Sequence, residues 1–290
     1  MKLNPSNQLE LFIHGNELKN LISLYREDKL PNKILLKGQK GIGKSTLAYH
    51  LINFVLSKNE EFSYDIDLFK INEKNKSFKL INNGSCPNFF LIDIQADKRN
   101  INIDQIRNII QELNKSSLNN KPKFVLIDNS EYLNKNSINV LLKEIEEPND
   151  NIYFILIQNQ KTLLSTLTSR FIKFNINLTN KESNFVINRL INEDVHNLVN
   201  SDFINYYFSP GNVYRIIEFC DENNIDLKNI ELRDFIHTLI QNNHIKKQKN
   251  LRYIFYEVIE FLLKKKSILL NVNYYNYFVK KIEKINKFNL

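Results

Sequence analysis

Gly38-Gln39-Lys40-Gly41-Ile42-Gly43-Lys44-Ser45 is the stretch whose reading decides the fold of this chain. It fills every fixed position of the pattern GxxxxGK[ST], and its flanks have the required character. Ile34-Leu35-Leu36 ahead of it is an apolar strand candidate, and Thr46 to Leu56 behind it keeps apolar residues at helical spacing. Strand, glycine loop, helix is the context in which the pattern carries chemistry and is not a chance turn. Backbone N–H groups from Gly38 through Gly41 and Gly43, and on through the helix start at Lys44, Ser45 and Thr46, can wrap a phosphate chain. Lys44 then neutralises the outer phosphates and the Ser45 hydroxyl helps to hold Mg²⁺. The implied cofactors are ATP or ADP with Mg²⁺.

Upstream, Glu17 to Tyr25 is a helix candidate with Leu18, Leu21, Ile22 and Leu24 on or near one face, and Pro31 punctuates the entry to the first strand. Downstream, Asn59 to Lys79 is polar and weakly periodic. It reads as an irregular insertion with room for one short hairpin or helix, and no chemistry is assigned to it. Gly84-Ser85-Cys86-Pro87 ends the insertion and launches a second strand over Asn88 to Asp93. Ile103, Ile106, Ile109, Ile110 and Leu113 return to helical spacing, with Asn102 or Asp104 as the cap. Phe124-Val125-Leu126-Ile127-Asp128 is an uninterrupted apolar run closed by an acid, as in strands buried on both faces of a parallel sheet. A helix over Asn139 to Glu147 stops at Pro148, and Ile152–Ile157 and Phe171–Phe174 supply a fourth and a fifth strand. Strands alternating with helices predict a mostly parallel α/β sheet.

After Leu178 the strand signal ends. Thr179 or Asn180 caps a helix through Leu190, and Ser209-Pro210-Gly211 opens another that carries Val213, Ile216, Ile217 and Phe219. From about Asn229 the sequence is amphipathic helix, with Leu251, Ile254, Phe255, Val258, Ile259 and Leu262 in one stripe. The expected organisation is an α/β domain over residues 1–178, a helical lid over 179–225 and a helical domain over 226–290.

At 290 residues, 42 % hydrophobic and 25 % charged, the chain has the composition of a soluble globular protein. No segment has the unbroken apolar length of a membrane span, and Met1-Lys2-Leu3-Asn4-Pro5 lacks the apolar core of a signal peptide, so no membrane partner and a cytoplasmic location are expected. Cys86 and Cys220 have no neighbours at ligand spacing, and neither a disulfide framework nor a zinc site is indicated. The net charge of +8 is spread over lysines found throughout the chain and leaves nucleic-acid binding open.

A loop of this kind needs a second acid that holds Mg²⁺ through water and terminates a strand next to the loop's own strand; Asp128 fits that requirement. Asn139-Val140-Leu141-Leu142-Lys143-Glu144-Ile145-Glu146-Glu147-Pro148 resembles the Asn-Ala-Leu-Leu-Lys-x-Leu-Glu-Glu-Pro signature of AAA+ clamp-loader subunits. Thr168-Ser169-Arg170-Phe171 falls where those subunits carry Ser-Arg-Cys, and Ile103-Asp104-Gln105-Ile106-Arg107 is similar to their segment before the acid-bearing strand. The match runs from Gln8 to Ile217. It implies an AAA+ P-loop domain with a five-stranded parallel sheet, a small helical lid and a C-terminal all-helical, collar-like domain. The length and Ser209-Pro210-Gly211 make the chain most similar to the delta prime branch of that family. Only Cys86 stands in the region where many members carry a four-cysteine zinc module.

The resemblance implies further roles. Arg170 would be an arginine finger reaching the ATP of a neighbouring subunit, and Asn129 stands where hydrolytic members carry an acid that polarises water. An amide can orient water but cannot accept its proton. Glu131, two residues on, is expected to point elsewhere. Gln158 or Asn159 would sense the terminal phosphate. Gly211 replaces the arginine of hydrolytic lids, and Arg215 lies one turn away. Lys264-Lys265-Lys266, Lys280-Lys281, Lys284 and Lys287 with Tyr274, Tyr275 and Tyr277 read as solvated faces of a collar rather than as a DNA surface. The expected function is that of a clamp-loader subunit of bacterial DNA polymerase III that binds nucleotide and has weak or no turnover of its own. Its expected partners are gamma/tau and delta subunits in a hetero-oligomeric ring, the sliding clamp, and primed DNA through the complex. The alternatives are an autonomous gamma-like ATPase and, in a different class, a P-loop small-molecule kinase.

Overall fold

In the computed structural model the described residues are 3–95, 98, 100–115, 119–146, 151–159, 163–204, 209–241 and 258. They fall into two units, Met1–Glu182 and Ser183–Leu290. The first carries strands β1 (Lys33–Lys37), β2 (Phe89–Ile92), β3 (Lys123–Ile127), β4 (Ile152–Gln158) and β5 (Ile172–Asn175). Its helices are α1 (Gly15–Arg26), α2 (Lys44–Leu56), α3 (Lys76–Asn82), α4 (Ile103–Leu113), α5 (Lys135–Glu146) and α6 (Ser165–Thr168), and α7 (Asn180–Ile191) begins at its end.

All strand pairs are parallel and the order is β2-β3-β4-β1-β5. This corrects one expectation: the strand ending at Asp128 is not beside the loop's strand, because β4 lies between β1 and β3. The period-2 rule explains the layers. Ile34, Leu36, Phe124, Leu126, Ile155 and Ile157 point to one face and pack with Leu18, Leu21, Ile22, Leu47 and Leu51 of α1 and α2. Their alternates Leu35, Val125, Ile127, Phe154 and Leu156 point to the other and pack with Ile106, Leu113, Ile138, Leu141 and Ile145 of α4 and α5. Lys123 opens β3 and is itself buried. Its Nζ donates to the carbonyls of Leu113 and Lys115 at 2.7 Å, satisfying acceptors that the end of α4 leaves unpaired.

The insertion has a structural task. α2 is buried on nearly every side, including His50 and Asn53. His50 meets Tyr64 Oη through Nδ1 at 2.8 Å and the Gln8 carbonyl through Nε2 at 3.1 Å, and Asn53 donates to Asn75 Oδ1 at 3.2 Å. Polar side chains in this helix thereby tie the insertion and the N-terminal segment over the helix that follows the loop. Burial lowers the His50 pKa to about 4, so the ring stays neutral there. The helical part of the insertion is α3, whose cap Asn75 accepts from Phe78 N–H at 2.7 Å.

At α4 the Gln105 side chain accepts the Asn102 N–H at 3.0 Å, and at α7 Thr179 is the cap, its Oγ1 accepting from Glu182 N–H at 3.3 Å. In the second unit, α8 (Val195–Leu198), α9 (Ser201–Ile204), α10 (Pro210–Glu222) and α11 (Leu232–Gln241) follow. One apolar cluster joins Ile187, Phe203, Ile216 and Phe219 to Leu232, Phe235, Leu239 and Val258, on both sides of residue 225. The expected helical stripe from Leu251, apart from Val258, and the lysine and tyrosine groups near the C-terminus lie outside the described residues.

Leu126 is fully buried in the interior strand β3, whereas Leu91 on the edge strand β2 is 48 % exposed. Leu126→Ala is expected to cost about 3 kcal/mol, and Leu91→Ala under about 1 kcal/mol, read as urea midpoints by circular dichroism.

Candidate nucleotide site

The loop leaves β1 through a crowded exit. The Gly38 N–H donates to the Gln158 carbonyl at 3.2 Å, and a Cβ on Gly38 would meet the Ile176 carbonyl oxygen at 2.2 Å. No side chain fits there, which is a packing reason for this glycine. Gly41 and Gly43 have φ of 83° and 93°, the left-handed region that glycine enters without strain. Gly43 is the N-cap of α2 and contributes no side-chain cap, so the first N–H groups of the helix face the loop. Lys44 is buried, and its Nζ donates to the carbonyls of Gly38 and Gln39 at 3.0 and 2.5 Å. Thr46 lies partly exposed in the same turn.

Ser45 Oγ donates to Asp128 Oδ2 at 2.6 Å, joining two residues 83 positions apart in sequence. Among the described residues no group of three or more His, Cys, Asp or Glu side chains is placed to hold a metal ion. Ser45 and Asp128 supply two oxygens, so a Mg²⁺ held here would take its remaining ligands from phosphate and water. The glycine cradle, the open helix start and this oxygen pair fit a nucleotide phosphate chain with its metal.

The ends of the next strands carry a side-chain chain that the sequence did not reveal. Asn129 sits in the left-handed region at φ 50°, which asparagine tolerates better than most residues. Its Nδ2 donates to Asp93 Oδ1 at 2.8 Å, and its Oδ1 accepts from Asn159 Nδ2 at 3.0 Å. The Asn159 N–H in turn donates to Glu131 Oε2 at 3.2 Å. Glu131 therefore turns back toward the site, correcting the expectation that it points away: the short 3-10 turn Ser130–Tyr132 brings it round to the end of β4. Asn159 meets Asn129 directly, while Gln158 is the buried last residue of β4. Asp93 was missed, although it closes its strand with an acid as Asp128 does. Burial, and then the charge of Asp128, raise its pKa.

His14 was also missed, and a lone histidine before a helix gives no signal. It is buried, its ring lies beside Gly43, and its Nε2 donates to the Ile42 carbonyl at 2.7 Å, which requires the proton on Nε2. Burial lowers its pKa.

Arg170 stands apart from these groups. It follows α6 and leads into β5, with Leu167 and Phe171 buried on either side. Its guanidinium is bound by Glu146 and by the Thr166 carbonyl. Gly211 and Arg215 lie in the first turns of α10, in the second unit.

Residues 13–180, more than half of the chain, match the family described as DNA polymerase III, delta subunit. The chain belongs to the DNA polymerase III delta subunit family. Its relatives named DNA polymerase III subunit delta′ include one from Pseudomonas aeruginosa, 29 % identical over 48 % of this chain and 41 % of the relative. Another, from Bacillus subtilis, is 31 % identical over 53 % of this chain and 44 % of the relative. A third, from Buchnera aphidicola of Schizaphis graminum, is 25 % identical over 92 % of this chain and 83 % of the relative. The match thus spans under half the length of the first two relatives. The P-loop, Asp128, the Leu141-Leu142-Lys143 segment and Arg170 all fall within the matched residues 13–180.

In this delta family member burial holds the Lys44 pKa down at about 8, with Lys40 adding to the effect and Asp128 and Glu131 opposing it. A bound polyphosphate restores the charged form, so above that pH its binding takes up a proton. Nucleotide affinity is expected to be level below pH 8 and to fall by about tenfold per pH unit above it, measured by calorimetry in buffers of different ionisation enthalpy.

Proposed function

We propose that this delta prime type chain acts as a clamp-loader subunit of the bacterial replicative polymerase, holding ATP or ADP with Mg²⁺ at its own loop and supplying Arg170 to the ATP of a neighbouring subunit. The observation that carries this is the position of Arg170 relative to the loop. β1 and β5 are parallel with Ile34 opposite Ile172, so Arg170 lies at the entry edge of the sheet and Gly38 at the exit edge. At about 3.3 Å per residue the two are separated by roughly 13 Å or more, further than an arginine side chain spans. Arg170 serves no phosphate at its own loop and is exposed for a neighbour's.

The partners in this reading are gamma/tau and delta subunits in a hetero-oligomeric ring, the sliding clamp, and primed DNA through the complex, in the cytoplasm. The division into an α/β domain, lid and collar at residues 178 and 225 belongs to the same proposal. With Asn129 in place of an acid and Gly211 in place of an arginine, the chain's own turnover is weak. A second reading, an autonomous gamma-like ATPase, draws support from the Asp93 and Glu131 carboxylates around the Asn129–Asn159 pair. Turnover by the isolated chain that disappears on Lys44→Ala decides in its favour.

Reconstitution with cognate gamma/tau and delta subunits tests the proposal. Arg170→Ala is expected to leave assembly intact by gel filtration and to slow hydrolysis about 10³-fold at the one site it serves, in single-turnover assays. Absence of a complex, or unchanged hydrolysis, refutes it.

A further inference from the structure

The contacts of Arg170 carry one more step. Its Nε and Nη2 both donate to Glu146 Oε1, at 2.9 and 2.5 Å, and its Nη1 donates to the Thr166 carbonyl at 2.7 Å. Glu146 is the last residue of α5, anchored through Leu141 and Ile145, which are 1 % exposed. Thr166 belongs to α6, anchored through the fully buried Leu167. Groups on two helices anchored in the core therefore hold the guanidinium of an arginine that remains 38 % exposed.

An ion pair this exposed adds little to the stability of the fold, because water screens it and both side chains lose rotamer freedom. Its effect is on direction. Guanidinium has five N–H groups in a rigid plane. Nε, Nη1 and Nη2 each donate once, leaving a second N–H on each terminal nitrogen. One N–H on each terminal nitrogen is what a fork to phosphate, with two hydrogen bonds, requires. Without the carboxylate the long side chain would sample many rotamers, and the fork would be ordered only on encounter.

We propose that Glu146 is a positioning residue that presets the Arg170 fork for a neighbouring subunit's phosphate. The inference rests on the finger reading of Arg170 given above. It also assigns a task to the first glutamate of Glu146-Glu147-Pro148: one sequence signature holds the other at the entry edge of the sheet.

The test uses the reconstituted complex with full chains and four variants: Glu146→Ala, Glu146→Gln, Arg170→Ala and the double variant Glu146→Ala/Arg170→Ala. Expected for Glu146→Ala is normal assembly, kcat for ATP reduced about tenfold and KM unchanged, the pattern of a misaligned transition-state contact. Glu146→Gln, which keeps an acceptor oxygen, is expected to recover most of the rate. The double variant is expected to match Arg170→Ala, since Glu146 acts only through that arginine. Wild-type or higher rates for both Glu146 variants overturn the proposal, because the carboxylate would then be idle or a brake. It is equally overturned if Glu146→Ala lowers the rate as much without Arg170 as with it. If Arg170→Ala itself changes nothing, the finger reading fails and the role of Glu146 fails with it, a result distinct from the other two.

Discussion

The structure depends on β1 running inside a parallel sheet, hydrogen-bonded to β4 on one side and β5 on the other. That position leaves no solvent side for its side chains, so Ile34, Leu35 and Leu36 are all apolar and all buried. It also squeezes the chain as it leaves the sheet, where the Gly38 N–H is held by Gln158 and the Ile176 carbonyl occupies the space of a side chain. The loop begins from this fixed point, and the first turn of α2, with Lys44 and Ser45, is aimed by it. The covering of α2 by the N-terminal segment and the insertion keeps that aim rigid, and the buried His50 and Asn53 make the covering specific.

Around the loop, the strand ends bring together a chain of hydrogen-bonded side chains. Asn129 is committed on both sides, its amide nitrogen to Asp93 and its oxygen to Asn159. The left-handed backbone at Asn129 is a local reason for asparagine there that is independent of catalysis. Of the two nearby carboxylates, Asp93 accepts from the Asn129 side-chain amide and orients it, and Glu131 accepts from the Asn159 backbone N–H.

Much of this was legible in the residues. The loop pattern, the five strands and most helices follow from fixed motifs and from apolar runs whose period is local. The pairing of Ser45 with Asp128 followed from the chemistry of a metal-holding site. Spatial order was not legible in the same way: apolar runs say that β3 and β4 are both central, but not that β4 separates β3 from β1. Asp93, His14 and Glu131 were missed or misdirected because their roles arise from tertiary contacts, in Glu131 through a 3-10 turn that reverses its direction. The loop pattern gives Gly38 a place near phosphate, but not its steric constraint, contact with a residue 138 positions later, Ile176. The insertion reads as irregular because its polar residues bond across loops within it and to α2, with no periodic apolar face to mark an element.

The opposite placement of the loop and Arg170 has a consequence for symmetry. With the phosphate cradle at one end of the parallel strands and the arginine at the other, two copies related by a twofold axis bring an arginine to a cradle only by lying antiparallel, which uses both pairs at once and closes the assembly at two. A contact that brings one arginine to one cradle and leaves the other pair free for further subunits is head-to-tail, with different surfaces on its two sides. The parallel sheet therefore gives each subunit a direction, and a ring built from such subunits has a sense of rotation written into the order of its strands.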